Sequence, residues 1–204
     1  MVIGIILALI IGYLLGSVNT SLVIGKFYKV DVRKHGSGNA GMTNTLRTLG
    51  KLPAALVIAG DILKGVLACI IGSVIFLNTT EANDSIGLMA GGLGAILGHN
   101  WPLYFGFKGG KGVLTTFAVI MMMGPLIGLI LLSVFAIIVL ITRYVSLGSI
   151  IGASLFPAVA FLMGNETIFI IFAGIIGLLV IIRHKTNIER LINKEESKLG
   201  AKKA

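Results

Sequence analysis

Seven apolar stretches divide this chain, at roughly 2–25, 53–77, 86–99, 112–123, 125–142, 147–163 and 167–182. A helix needs about 20 apolar residues to cross a hydrocarbon core roughly 30 Å thick, so the pattern predicts membrane-spanning helices joined by short polar turns. The fourth and fifth stretches require a decision, because 113–142 read as one helix would run to about 45 Å at 1.5 Å per residue. Gly124-Pro125 splits it: proline removes a donor and clashes with the preceding turn, and glycine beside it makes a reversal cheap. The third, fourth and fifth stretches are then short for full spans and are expected to tilt or to lie re-entrant.

The basic residues support this count. With loops assigned alternately to two sides, residues 26–52, 100–111, 143–146 and the tail from 183 carry 16 of the 17 lysines and arginines. The N-terminus and the turns at 78–85, 124–125 and 164–166 carry none, only Glu81, Asp84 and Glu166. The positive-inside rule then places the N-terminus outside and the C-terminus in the cytoplasm. A single span over 113–142 would turn the last two basic segments outward. The fold class expected is an all-α integral membrane protein, a seven-helix transmembrane bundle forming one domain over 1–204.

Composition agrees: 56% of the 204 residues are hydrophobic and 12% charged, with a mean hydropathy of +1.00, whereas soluble domains carry roughly a quarter charged residues. The net charge of +9 is mainly topogenic, with anionic lipid headgroups as neighbours. No aromatic-basic interleaving suggests nucleic acid. The one cysteine, Cys69, falls in an apolar run and excludes an internal disulfide. The first stretch starts after Met1 without a basic leader or a small-residue cleavage pattern, so it is expected to be retained.

The densest polar stretch lies between two apolar ones. Residues 36–50 hold four glycines, two asparagines, one serine, three threonines and Arg47. Backbone amides in tight turns, hydroxyls and one guanidinium are the parts of an anion cradle. Gly36, Gly38 and Gly41 also satisfy the dinucleotide-binding spacing, with Asp61 where the ribose-binding acid would fall, but the preceding 29–35 is highly charged and no strand precedes it. Gly110-Lys111 is followed by Gly112, so no P-loop is present either. Lys108 and Lys111 stand among glycines 106, 109, 110 and 112, more permissive positions than a topogenic loop needs, which favours phosphate binding there. His99 has no second His or Cys at metal-ligand spacing, so no metal and no cofactor are expected.

His184 and Asn187 share a face where the last span leaves the membrane, and Ser146 sits in the short turn 143–146. Asp61 and Lys64, also three apart, are expected to form an intramembrane ion pair, because charges there are costly unless paired. Tyr13, Ser17, Asn19 and Thr20 read as packing residues, together with Gly12, Gly16 and Gly25. The glycines at 87, 91, 92, 94 and 98 imply close helix contact. Physical reasoning thus reaches a cytoplasmic-side site for small phosphorylated molecules beside an apolar wall, and leaves catalysis and transport both open.

Three motifs go further. G-S-G-N-x-G-x-T-N-x-x-R-x-L-G at 36–50, G-H-x-x-P-x-x-x-x-F-K-G-G-K-G at 98–112 and R-H-x-x-N-I-x-R-L at 183–191 resemble, in order and spacing, the cytoplasmic motifs of the bacterial acyl-phosphate:glycerol-3-phosphate acyltransferase family (PlsY type). The resemblance spans essentially the whole chain; the tail from Asn193 adds little to it. It implies transfer of a fatty acyl group from acyl phosphate to glycerol 3-phosphate at the cytoplasmic face of a bacterial inner membrane, giving 1-acylglycerol 3-phosphate and phosphate. The implied catalytic set is Ser37, Arg47, Lys108, Ser146, His184 and Asn187. Gly36, Gly38, Asn39, Asn44, His99, Gly109, Gly110, Lys111 and Gly112 would line the substrates. The implied partners are glycerol 3-phosphate, a long-chain acyl phosphate, membrane lipid and the soluble enzyme that makes acyl phosphate.

An acyl phosphate is a mixed anhydride that loses phosphate without a strong acid, so cationic donors and alignment supply most of what is needed. A covalent acyl-serine is not expected, since Ser37 has no base nearby in sequence. The hydroxyl proton passes to His184 or, the preferred reading, to a substrate phosphate oxygen. His184 and Glu189 approximate the H-x-x-x-x-D pair of acyl-thioester-using acyltransferases, with glutamate in place of aspartate. An organic-phosphate transporter is the rival from another class, but the outward turns are short and carry no cation.

Overall fold

The chain folds into helices joined by short turns, and the computed structural model describes residues 1–78 and 85–200. Glu81, Asp84, Lys202 and Lys203, counted in the charge argument, lie outside the described residues. Among the described residues ten α-helices run in order: α1 Val2–Ser17, α2 Thr20–Phe27, α3 Met42–Leu49, α4 Lys51–Leu77, α5 Ser85–Asn100, α6 Val113–Met123, α7 Pro125–Thr142, α8 Val145–Leu162, α9 Thr167–Arg183 and α10 Lys185–Ile192. Among the described residues there is no strand.

By length and composition α4, α7, α8 and the α1–α2 pair can each cross a bilayer, and α9 with α10, bent by 59°, makes a fifth. The chain is a multi-pass membrane protein. The boundary at Gly124-Pro125 falls where proline chemistry places it, with Pro125 at the first position of α7. There the missing N–H costs nothing. Two expectations are corrected. The fifth stretch is not short, since α7 has 18 residues. The first stretch is not one helix, because it breaks after Ser17 and restarts at Thr20. Asn19 explains the restart: its side chain accepts a hydrogen bond from the Leu22 N–H at 3.1 Å, capping α2.

The chain divides into two compact units, Met1–Met123 and Gly124–Ala204. In the first, α5 packs between α1 and α4 at backbone distance. A Cβ on Gly94 would strike the Leu9 carbonyl and the Tyr13 amide of α1, and one on Gly91 would strike the Ala68 carbonyl of α4. Small residues permit this approach, which is how helices associate where no hydrophobic effect drives them together. In the second unit α8 packs against both α7 and α9. Gly148, to which the sequence assigns no role, gives clearance to Phe135 and Val139 of α7.

Candidate functional site

In the first unit, residues 28–50 and 101–112 meet at one end. Asn44 organises the first segment. It is buried, its Oδ1 accepts from the Ser37 N–H at 2.9 Å, and its Nδ2 donates to the carbonyls of Val32 at 2.8 Å and His35 at 3.0 Å. Gly36 is in the left-handed region, and a Cβ there would strike the Asn44 carboxamide. A residue expected to touch substrate is therefore engaged by the loop's own backbone.

Residues 42–49 are helical, which the polar composition did not announce. Asn44 and Thr45 face inward, and the hydroxyls of Thr45 and Ser21 lie 2.7 Å apart, fixing α3 to α2. Arg47 projects from the other side and is exposed, as are Ser37, Gly36 and Gly38; Asn39 is half-buried. Beneath them Leu22, Val32 and Ala40 form a small apolar core joined by Leu49 and Phe105.

Arg33 joins the two segments. Paired with Asp31 at 2.9 Å, it donates from Nη1 to the Phe105 carbonyl at 3.0 Å and to the Lys108 carbonyl at 3.4 Å. The Arg33 hydrogen bonds hold the Asp31 carboxyl below its usual range. A second junction lies at Gly110, where a Cβ would collide with the His99 ring and the Ala40 carbonyl. The exposed Lys108 is thereby carried on a loop seated against the segment that bears Ser37 and Arg47. Beside the junction a cleft of about 280 Å³ is lined by Leu22, Lys26, Lys29, Val30, Asp31, Arg33 and Phe105. It includes none of Ser37, Arg47 and Lys108.

The cradle of backbone amides is thinner than glycine content suggests. The N–H groups of Ser37, Gly38, Gly41 and Gly110 donate within the protein, to Asn44 Oδ1 and to the carbonyls of His35, Asn39 and His99. Gly112 adopts a left-handed conformation and Gly109 gives clearance to the His99 carbonyl. The four amides are therefore turned to the protein's own acceptors and not left open to an anion.

His99 is 3% exposed and its Nδ1 lies 2.9 Å from Lys64 Nζ. Lys64 also pairs with Asp61 at 2.9 Å, as the spacing of three predicts. Burial under the glycine loop gives His99 structural partners inside the helices. The packing residues likewise bond across elements: Tyr13 Oη to the Trp101 carbonyl, Ser17 Oγ from the Leu103 N–H, and Thr20 Oγ1 to Asp61.

The second unit holds its own polar cluster, built around Glu196. Its Oε1 accepts from Ser146 Oγ at 2.7 Å and Asn187 Nδ2 at 2.6 Å, and its Oε2 accepts from Arg190 Nε at 2.7 Å. Partial burial alone would raise the carboxyl, but the hydrogen bonds from Arg190, Ser146 and Asn187 outweigh it and hold the group below the usual glutamate value. The tail continues back over the α7–α8 turn, where the Leu199 N–H donates to the Arg143 carbonyl at 2.7 Å. His184, buried at the α9–α10 bend, has Nδ1 at 2.8 Å from the Val180 carbonyl. A carbonyl only accepts, so Nδ1 carries the proton and Nε2 is the basic edge of the neutral ring. Glu196 was not singled out from sequence; the only signal was an acid in a basic tail. Among the described residues no three His, Cys, Asp or Glu side chains are grouped to hold a metal ion.

Comparison with known proteins agrees with the motifs. A family model described as glycerol-3-phosphate acyltransferase matches residues 6–194. A glycerol-3-phosphate acyltransferase of Thermoanaerobacter pseudethanolicus is 44% identical over 198 residues, 97% of this chain and 96% of that protein. One from Halalkalibacterium halodurans is 46% identical over 202 residues, 96% of each. The chain also resembles the crystal structure of PlsY, an integral membrane glycerol 3-phosphate acyltransferase, in its glycerol 3-phosphate form. The TM-score is 0.87 at 38% identity, over 96% of both chains. The lysophosphatidic acid form matches with a TM-score of 0.84 at 37% identity, over 96% of this chain and 95% of that one.

Proposed function

The chain belongs to the glycerol-3-phosphate acyltransferase family and is an acyltransferase, and from that premise we propose that it moves a fatty acyl group from acyl phosphate to glycerol 3-phosphate. The products are 1-acylglycerol 3-phosphate and phosphate. The observation that carries this reading is the junction in the first unit, where the basic glycine-rich loop 106–112 is seated on the segment of Ser37 and Arg47. A donor and an acceptor that both bear phosphoryl groups need such neighbouring cations. The glycerol 3-phosphate and lysophosphatidic acid forms of PlsY support the acceptor and product classes.

Arg47 and Lys108 neutralise glycerol 3-phosphate, Ser37 hydrogen-bonds it, and Lys111 holds the donor's phosphate. The attacking hydroxyl adds to the acyl carbonyl, the carbon–oxygen bond to phosphate breaks, and the proton leaves to a phosphate oxygen, whose pKa near 6 to 7 suits neutral pH. His184 and Asn187 of the third motif, and Ser146 of the turn 143–146, are assigned to the same reaction by the family resemblance. Seven spans, an outside N-terminus and an active site on the cytoplasmic face of a bacterial inner membrane complete the reading. The soluble enzyme that makes acyl phosphate would be the neighbouring partner.

Purified protein in detergent, given glycerol 3-phosphate and either palmitoyl phosphate, palmitoyl-CoA or palmitoyl acyl carrier protein, tests the proposal. Phosphate release matched by lysophosphatidate, with the acyl phosphate alone, is expected. Equal turnover of the thioesters would overturn the donor assignment.

A further inference from the structure

Lys108 serves an acceptor only if its loop presents it to the segment of Ser37 and Arg47, and the backbone of that loop is not relaxed. After the short turn Leu103–Phe105, Gly106 and Phe107 both lie in the left-handed region, at φ of 65° and 59°. Glycine adopts that region freely. Phenylalanine does so at a cost, and such a residue persists only where its surroundings over-determine it. Lys108 follows directly.

Arg33 supplies that determination. Its Nη1 donates to the Phe105 carbonyl at 3.0 Å and to the Lys108 carbonyl at 3.4 Å, so the two bonds bracket the left-handed pair. Phe105 packs on the small core of Leu22, Val32 and Ala40, which fixes one end of the turn, and the guanidinium reaches from there to the other. The guanidinium is itself aimed. Asp31 accepts from Nε through Oδ1 at 3.0 Å and from Nη2 through Oδ2 at 2.9 Å, which sets the plane of the group and leaves the Nη1 edge to the loop. Asp31 Oδ1 also accepts from the Arg33 N–H at 3.0 Å, capping the turn Val32–Lys34 that carries the arginine. The two side chains are 30% and 31% exposed, and an ion pair so open to solvent adds little to global stability. Its net charge is zero, so it adds little to the attraction of an anion either. What it contributes is direction.

We propose that Arg33, aimed by Asp31, is a positioning residue for the acceptor: it holds the Gly106-Phe107 turn in the shape that presents Lys108 to the segment of Ser37 and Arg47, and so sets the affinity for glycerol 3-phosphate. Neither side chain needs to touch substrate. The planar fork is what the task demands, because one group pairs with a carboxylate along one edge and with two carbonyls along another, which a lysine ammonium cannot do. This inference rests on assigning Lys108 to glycerol 3-phosphate.

The test compares full-length wild type in detergent with Arg33→Lys, Asp31→Asn and Asp31→Asn/Arg33→Gln, by titration calorimetry with glycerol 3-phosphate alone and by steady-state kinetics. Arg33→Lys keeps the charge and loses the fork; the double variant loses the fork and keeps the pair's net charge at zero. A turn in its competent shape a tenth of the time weakens apparent affinity about tenfold. Both are therefore expected to bind glycerol 3-phosphate about tenfold or more weakly, with KM rising in step and kcat within about threefold of wild type. Asp31→Asn separates direction from charge. It keeps the Oδ1 acceptor, loses the one at Oδ2 and makes the pair net positive, so attraction alone would tighten binding, whereas a released guanidinium weakens it about threefold or more. Hydrogen exchange at the Phe107 N–H, which donates to the Pro102 carbonyl at 3.0 Å, should quicken in all three while exchange within α4 does not.

Wild-type affinity in Arg33→Lys, tighter binding in Asp31→Asn, or a lost kcat with KM unchanged would overturn the proposal. A lower Tm with unchanged binding, or failure of all three variants to fold, would assign the pair to the scaffold and overturn it as well. Wild type that binds glycerol 3-phosphate without turning over palmitoyl phosphate would sink the donor assignment alone, and the binding constants would still decide the clamp. Wild type that neither binds nor turns over would sink the acceptor reading. Exchange at Phe107 then decides the clamp separately: faster exchange in Arg33→Lys supports it, and unchanged exchange overturns it.

Discussion

Replacing Asn44 by aspartate changes one atom and reverses the chemistry of the Ser37 loop. The Oδ1 acceptor for the Ser37 N–H survives, but the Nδ2 donor to the Val32 and His35 carbonyls becomes an acceptor. Two hydrogen bonds, worth about 0.5–1.5 kcal/mol each, are lost at a residue 1% exposed. The Val32 and His35 carbonyls keep the His35 and Gly38 N–H donors, but a buried carboxylate oxygen now faces both of them and adds its own desolvation cost. Protonation of the new carboxyl restores one donor at most, so a net penalty of about 2–4 kcal/mol against the closed loop is expected. At 1.4 kcal/mol per decade, that lowers apparent affinity for glycerol 3-phosphate by about 30-fold to several hundredfold. Steady-state kinetics would be read beside hydrogen exchange at the Ser37 amide, which should accelerate in step with KM. An unchanged KM would refute the reasoning. A raised KM with Ser37 exchange unaltered would also refute it, showing that Asn44 meets the substrate directly.

Three other outcomes follow from particular contacts. His184→Gln should keep activity near wild type if a phosphate oxygen takes the proton; loss of about 100-fold or more in kcat would restore the ring as general base. Gly94→Ala drives a methyl into the α1 backbone and should cost about 1–3 kcal/mol, seen as a lower Tm in detergent; an unchanged Tm would contradict the packing. The Glu196 carboxyl lies below its ordinary value when folded, so its contribution is present above the unfolded pKa of about 4.3 and is lost as pH falls through the lower folded value. Exchange protection of the Leu199 N–H, corrected for the intrinsic rate, should persist at neutral pH and fall below about pH 4; protection independent of pH would contradict the contact.

What the sequence made legible was what depends on local chemistry. Gly124-Pro125 ended one helix and began the next by rules that need no tertiary information. Asp61 and Lys64 were paired by spacing and by the cost of burying either alone, and the α5 glycines announced close packing. Asn19 was legible only in part: its Nδ2 donates across to the Ala40 carbonyl at 3.4 Å, as a packing residue would, but its Oδ1 also caps the helix that restarts at Thr20, which an asparagine inside an apolar run does not announce. Helix α3 was hidden because its core side is polar: Asn44 and Thr45 are buried on hydrogen bonds, leaving no apolar stripe to detect. Glycine counts could not separate amides open to a ligand from amides turned inward, and several proved to be the latter. Glu196 was out of reach because nothing local says that the tail folds back over residues 143–146.

The claim on which the account turns is that two loops of the first unit serve one phosphoryl group, and a double-mutant cycle tests it most directly. kcat/KM for glycerol 3-phosphate would be measured for wild type, Arg47→Ala, Lys108→Ala and the double variant. Residues that share a ligand couple by about 0.5–3 kcal/mol, while independent sites add within about 0.3–0.5 kcal/mol. The account predicts a large loss in each single variant and a double loss at least 1 kcal/mol, or about fivefold, smaller than their sum. Strict additivity, or a single variant with wild-type kcat/KM, would contradict it.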